Sequence, residues 1–160
     1  GNTSVIGAHQ AKNTVTPSDQ IARPVNYNND KVGSLACSGA IAPEFYRALV
    51  ANGATVLTNS AALSTMGLSS SYYAQAKQMA SFLAVANARP FVQSARGAQV
   101  FMLDQNGQVI VEGDRSGVHY IEGTVQTNNK RTPYSYLGEY GALILSVGTI
   151  LYLGIYQRSK

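Results

Sequence analysis

The single cysteine of the chain, Cys37, follows a small apolar run at residues 32–36 and precedes Pro43-Glu44, a pair suited to the first turn of a helix. A thiol on a strand-to-helix turn lies at the carboxyl edge of a sheet, where open α/β folds place their sites. A nearby helix N-terminus lowers a thiol's pKa and favours the thiolate, the species that attacks. The chemistry this points to is nucleophilic catalysis, with small core filler as the alternative, since free cysteines are among the most buried residues. An unshifted thiol, with a pKa of about 8.5, is only a few per cent thiolate at pH 7, and lacking a positioned base it forgoes roughly two to four orders of magnitude in rate.

Other side chains offer weaker chemistry. His119, between Val118 and Tyr120, is a candidate base for Cys37 or a structural histidine in a strand. Ser69-Ser70-Ser71 reads as loop and helix N-cap, and Tyr72-Tyr73 as packing of a helix onto the sheet or lining of an acyl groove. Arg96, on a turn with Gly97, is a candidate phosphate contact or a solvated turn residue. One cysteine excludes an internal disulfide and a CxxC zinc site, and His9 and His119 lie too far apart for a local metal site, so no metal or cofactor is expected.

The elements that must position Cys37 follow from punctuation. Residues 32–36 read as a strand, 43–52 as a helix stopped by Gly53, and 54–58 as a β-branched strand. Such a βαβ unit implies parallel strands and a right-handed crossover. After a Ser/Thr-rich loop at 60–71, residues 72–87 form a helix without Gly or Pro, ended by Arg89-Pro90. Strands are expected at 91–94, 99–103 and 108–112, the last two joined by the tight turn Asp104-Gln105-Asn106-Gly107. Residues 118–125 alternate as a final strand, while residues 1–30 read as mostly loop, with only 3–8 strand-like. Residues 1–10 lack a charged and then apolar pattern and are not expected to be a signal peptide.

Composition bounds the setting. The 160 residues make one domain, 45% hydrophobic and only 12% charged, about half the usual charged fraction, so part of the surface is expected to face something other than water. The net charge of +4 is scattered singly apart from Lys130-Arg131, which argues against nucleic-acid binding. Residues 140–156 carry no charge and as a helix span about 26 Å, close to the hydrocarbon thickness of a bilayer. Tyr134, Tyr136 and Tyr140 at one end and Tyr152 and Tyr156 at the other form aromatic belts, and Arg158 and Lys160 follow. The expected arrangement is a single transmembrane helix at 137–157, its C-terminus cytoplasmic and the α/β domain extracytoplasmic, with a buried C-terminal helix as the alternative.

The run Lys31-Val32-Gly33-Ser34-Leu35-Ala36-Cys37, then Pro43-Glu44, Gly53-Ala54, a strand ending Thr58-Asn59, and a long helix ending Ala88-Arg89-Pro90 resembles the second half of the nitrilase superfamily of carbon-nitrogen hydrolases. Thr132-Pro133-Tyr134, Leu137-Gly138 and the apolar final helix resemble the end of apolipoprotein N-acyltransferases, and the resemblance runs over about residues 21–160. It implies a partial αββα sandwich, a mixed sheet with flanking helices, with residues 31–130 as the C-terminal half of the hydrolase domain and 1–30 as loop or a remnant of the other half. It also implies that Cys37 is the nucleophile forming an acyl thioester, aided in the family by a Glu base and an oxyanion-stabilising Lys.

Those partners precede the cysteine in the family, and here Lys12, the only Lys before Lys31, has surroundings that do not match, while no Asp or Glu precedes Asp19. Gly39 replaces a usual acid, Asn59-Ser60-Ala61-Ala62-Leu63 lacks the family's acid and aromatic, Ser81, Leu83 and Ala86 stand where Arg and Glu are usual, and Arg96-Gly97-Ala98 replaces an Asn-rich turn. The expectations are therefore an impaired acyltransferase-type domain or an inert scaffold subunit. The expected partners are membrane lipid and a protein, or the missing half, covering the open sheet.

Overall fold

A computed structural model describes residues 23–36, 39, 41–62, 70–96, 99–113 and 120–158. Its centre is a six-stranded mixed sheet in sequential order: β1 (Val25–Tyr27), β2 (Asp30–Ala36), β3 (Val56–Ala62), β4 (Phe91–Arg96), β5 (Phe101–Leu103) and β6 (Val109–Glu112). β2, β3 and β4 are parallel, while β1 and the β5–β6 hairpin add antiparallel margins. Helices α1 (Pro43–Ala51) and α2 (Ser70–Asn87) pack on one face. The short α3 (Pro133–Leu137) then leads into α4 (Tyr140–Arg158).

The expected βαβ unit is present, and local chemistry explains its ends. Pro43 and Glu44 open α1, and past its last turn Gly53, at φ +94°, lets the Gly53 and Ala54 N–H groups bond the Val50 and Leu49 carbonyls. α2 ends the same way with a residue ill suited to it. Ala88 takes φ +50° so that its N–H and that of Arg89 reach the Val85 and Ala84 carbonyls. A Cβ in that region costs about 1–2 kcal/mol, so Ala88→Gly is expected to raise stability by about 1 kcal/mol, read as a higher urea midpoint at unchanged slope.

The core lies between the sheet and the two helices. The rung Gly33–Leu57–Phe91–Leu103 faces Tyr46, Leu49 and Val50 of α1 and Ala80, Leu83 and Ala84 of α2. A Cβ on Gly33 would meet those of Ala54 and Leu49 at 3.0 and 3.1 Å, so glycine here sets how closely α1 approaches β2. Tyr46 is fully buried, tilted on Phe91 at 5.5 Å, and donates its hydroxyl hydrogen to the Thr58 carbonyl at 3.1 Å.

Three sequence expectations need correction. β1 lies in a stretch expected to be mostly loop, turned onto β2 through Asn28-Asn29 with Asn28 at φ +50°. β3 starts two residues later than expected and runs on to Ala62, because Ser60, Ala61 and Ala62 pair with Ser94, Ala95 and Arg96 of β4. Residues 120–125, expected as strand, join no ladder: they lie against the outer face, where a Cβ on Gly123 would come within 3.1 Å of Met102 and Val111. The expected strand at 3–8 lies outside the described residues.

Candidate functional site

The parallel strands end together at one edge, at Ala36, Ala62 and Arg96, and α1 begins at that same edge. Cys37 follows Ala36 directly in the chain and lies outside the described residues, as do His9, Lys12, Ser69, Gly97, Ala98 and His119. What the structure describes is the floor beneath that edge. Leu35, Asn59, Gln93 and Phe101 form one rung on the helix-bearing face. Asn59 is 2% exposed and Gln93 7%, and the Gln93 amide donates to the Ser94 carbonyl at 3.4 Å. Two neutral amides thus sit side by side between apolar neighbours, next to the end of the strand that carries the thiol.

Charge at this edge is sparse. Glu44, in the first turn of α1, is exposed and lies about 200° around the helix from the core-facing Tyr46. Arg96 ends β4 at the edge itself and is exposed; farther along stand Lys77 of α2 and Glu112 at the end of β6, an ion pair at 2.5 Å that was not foreseen because its members are 35 residues apart. They line an open cleft of about 500 Å³ with Tyr73, Gln78, Ser81 and Gln99. β6 is four strand spacings, about 19 Å, from β2, too far for either charge to serve a nucleophile on the β2 turn. Among the described residues no three His, Cys, Asp or Glu side chains converge on a metal position.

No family model matches the chain. It is similar to apolipoprotein N-acyltransferase 1 of Treponema denticola, 28% identical over 134 residues, which are 82% of this chain and 24% of that protein. Among solved structures it superposes on a carbon-nitrogen hydrolase from Helicobacter pylori G27 with a TM-score of 0.55, 18% identity, and coverage of 62% of this chain and 42% of that one. The chain has the nitrilase-superfamily fold. Saccharomyces cerevisiae Nit3, a member of branch 10 of that superfamily, superposes with a TM-score of 0.53 at 14% identity, over 65% of this chain and 40% of its own. This chain thus spans about a quarter of the acyltransferase's length and about two-fifths of each hydrolase's.

Within the nitrilase fold, Gly39 has a packing reason. It belongs to the short helical turn that leads into α1, and a Cβ there would stand 2.6 Å from the Cβ of Leu35. The acid that the family resemblance leads one to expect at position 39 does not fit this backbone. Gly39→Asp is accordingly expected to destabilise the domain by about 1–3 kcal/mol through overpacking, measured as a lower urea midpoint, and to leave any activity no higher.

The end of the domain is built around tyrosines. Thr132 caps α3 by accepting the Ser135 N–H at 3.0 Å, and its own hydroxyl donates to the Ala86 carbonyl of α2. Burial, and then Glu139, raise the Tyr134 pKa above its ordinary value, with Arg47 opposing. From Tyr140 onward, α4 is long and apolar enough to cross a membrane, and none of its residues is buried. The alternative of a buried C-terminal helix is therefore not what the structure contains.

Proposed function

We propose that this chain is a membrane-anchored acyl-transfer domain of the apolipoprotein N-acyltransferase type, with Cys37 as nucleophile and its base and oxyanion groups supplied from outside the chain. The observation that carries this reading is the β2–turn–α1–β3 unit of a nitrilase-type fold, with the only cysteine directly after β2 and an apolar, unburied helix at the end. In the proposed reaction the thiolate attacks a phospholipid acyl carbonyl, and the ester C–O bond breaks to release a lysophospholipid. The thioester acyl group then passes to an N-terminal amine, which loses its proton as the thiolate is regenerated.

A covering half, or a partner in its place, belongs to the proposal, because α1 and α2 cover only one face of the sheet. Ser34, Ser60 and Ser94 give the outer face small side chains, Ser34 and Ser94 exposed, that a second sheet can approach closely, while Val32, Val56 and Thr58 on that face are already buried. The span would place the α/β domain on the extracytoplasmic side, since Arg158 and Lys160 follow α4. A second reading, an inert scaffold subunit of a membrane complex, draws support from the Gly39 packing and from the distance of Lys77 and Glu112 from β2.

Intact-mass measurement after incubation with phospholipid vesicles separates the two. Acyl transfer predicts a mass gain of one acyl chain that is lost in Cys37→Ala, while the absence of an adduct, even with the remainder of a homologous acyltransferase added, leaves the scaffold.

A further inference from the structure

The surface around the start of α4 is more than the end of a tether. Phe82 of α2, 48% exposed, meets Tyr134 of α3 edge-to-face at 5.7 Å, although the two lie on different elements. Beside them Tyr136, Leu137 and Tyr140 are 62%, 44% and 69% exposed. Two cations stand in the same ring. The Arg131 guanidinium lies 4.1 Å from the centre of the Tyr136 ring and donates to the Ser135 carbonyl at 3.0 Å, while that of Arg47 lies under Gly138, where a Cβ would meet it at 2.9 Å. Gly138 holds φ +53° there, so the chain turns from α3 into α4 directly over α1.

Geometry limits how far this ring can be from whatever surrounds α4. Three residue steps separate Leu137 from Tyr140, at most about 11 Å of chain, and α3 packs on both α1 and α2. Aromatic rings with polar tips and arginines beside them match the bilayer interface, where rings sit at headgroup level and guanidinium groups grip phosphate. Resting on the reading of α4 as a span, we propose that Phe82, Tyr134, Tyr136, Leu137 and Tyr140, with Arg47 and Arg131, form a collar that beds this domain into the phospholipid headgroup layer. The domain is then fixed in orientation on the bilayer instead of swinging from α4.

The chain has no tryptophan, so single tryptophans report depth without background. The full chain would be reconstituted in vesicles of equimolar phosphatidylcholine and phosphatidylglycerol carrying a spin-label quencher high or low on the acyl chain. Phe82→Trp and, independently, Tyr136→Trp are expected to lose most of their emission to the high label. Tyr120→Trp, in the segment on the opposite face of the sheet, is expected to lose little, and Gly148→Trp at the centre of α4 to respond to the low label. Loss at position 148 with none at 82 and 136 overturns the collar and leaves the span. Equal loss at 120 and 82 overturns a face-specific docking, and no loss at any position overturns collar and span together.

Discussion

Replacing Arg89 by methionine is expected to cost about 3–5 kcal/mol of folding stability. Arg89 is 2% exposed and, among the described residues, forms no ion pair with a carboxylate. Its Nε donates to the Ala54 carbonyl at 2.7 Å, and its guanidinium also donates to the Asn87, Ala88 and Lys130 carbonyls at 3.3, 2.9 and 2.6 Å and to Asn128 Oδ1 at 3.0 Å. Two of these carbonyls belong to the end of α2 and one follows the end of α1, where helix dipoles place negative charge. Among the described residues this cation is held by backbone carbonyls and the Asn128 amide oxygen, and it joins both helices to the segment at 128–130.

Burial, and then the charge of Arg131, lower its pKa from the ordinary arginine value, yet that value is so high that the group stays charged at neutral pH. Methionine keeps the apolar stem and orphans the carbonyls. Arg89→Lys is expected to recover less than half of the loss, because an ammonium on a flexible stem cannot reproduce the planar fork. Asn128→Ala, which removes one acceptor and the amide that donates to the Ala88 carbonyl at 2.8 Å, should cost about 1–2 kcal/mol. Urea unfolding in mild detergent measures all three, and an Arg89→Met midpoint within error of the parent would refute this role.

The contrast between Arg89 and Cys37 shows what a sequence can carry. The parallel unit around Cys37 was legible because Pro43, Gly53 and Pro90 mark element ends by backbone chemistry that acts within a few residues. Arg89 was visible only as the residue before a proline. Its partners at 54 and 128–130 are brought to it by the fold, as Glu112 is brought to Lys77 and Gln93 to Asn59. β1 escaped notice because three residues offer too little alternation, although Asn28-Asn29 followed by Asp30-Lys31 is a hairpin signal. Residues 120–125 alternate in sequence without pairing: Gly123 lies against Met102 and Val111 of the outer face, and only Ile121 and Val125 are partly covered. Ser60 to Ala62 have poor strand propensity and are strand because β4 is there to pair with them.

Placing an arginine at the centre of α4, as Gly148→Arg, is expected to reduce membrane insertion by about a hundredfold, since a charge at mid-bilayer costs about 2.5–3.5 kcal/mol. Gly148 isolates that cost from any packing effect, because a Cβ there meets nothing within 4 Å and none of the helix is buried. The helix is otherwise prepared for hydrocarbon: the Ser146 and Thr149 hydroxyls donate to the Ala142 and Leu145 carbonyls at 2.9 and 2.8 Å, so neither enters lipid unsatisfied. Gly148→Leu should insert at least as well as the parent, which separates charge from bulk. The measurement is the fraction of chain retained in membranes after an alkaline wash, which strips proteins held only at the surface. Full retention of Gly148→Arg would mean that α4 does not cross the bilayer as a single span, and the domain would then need a different anchor. Its loss with retention of Gly148→Leu would support α4 as the span, and under the proposed function a span holds Cys37 where acyl donors stand at high local concentration.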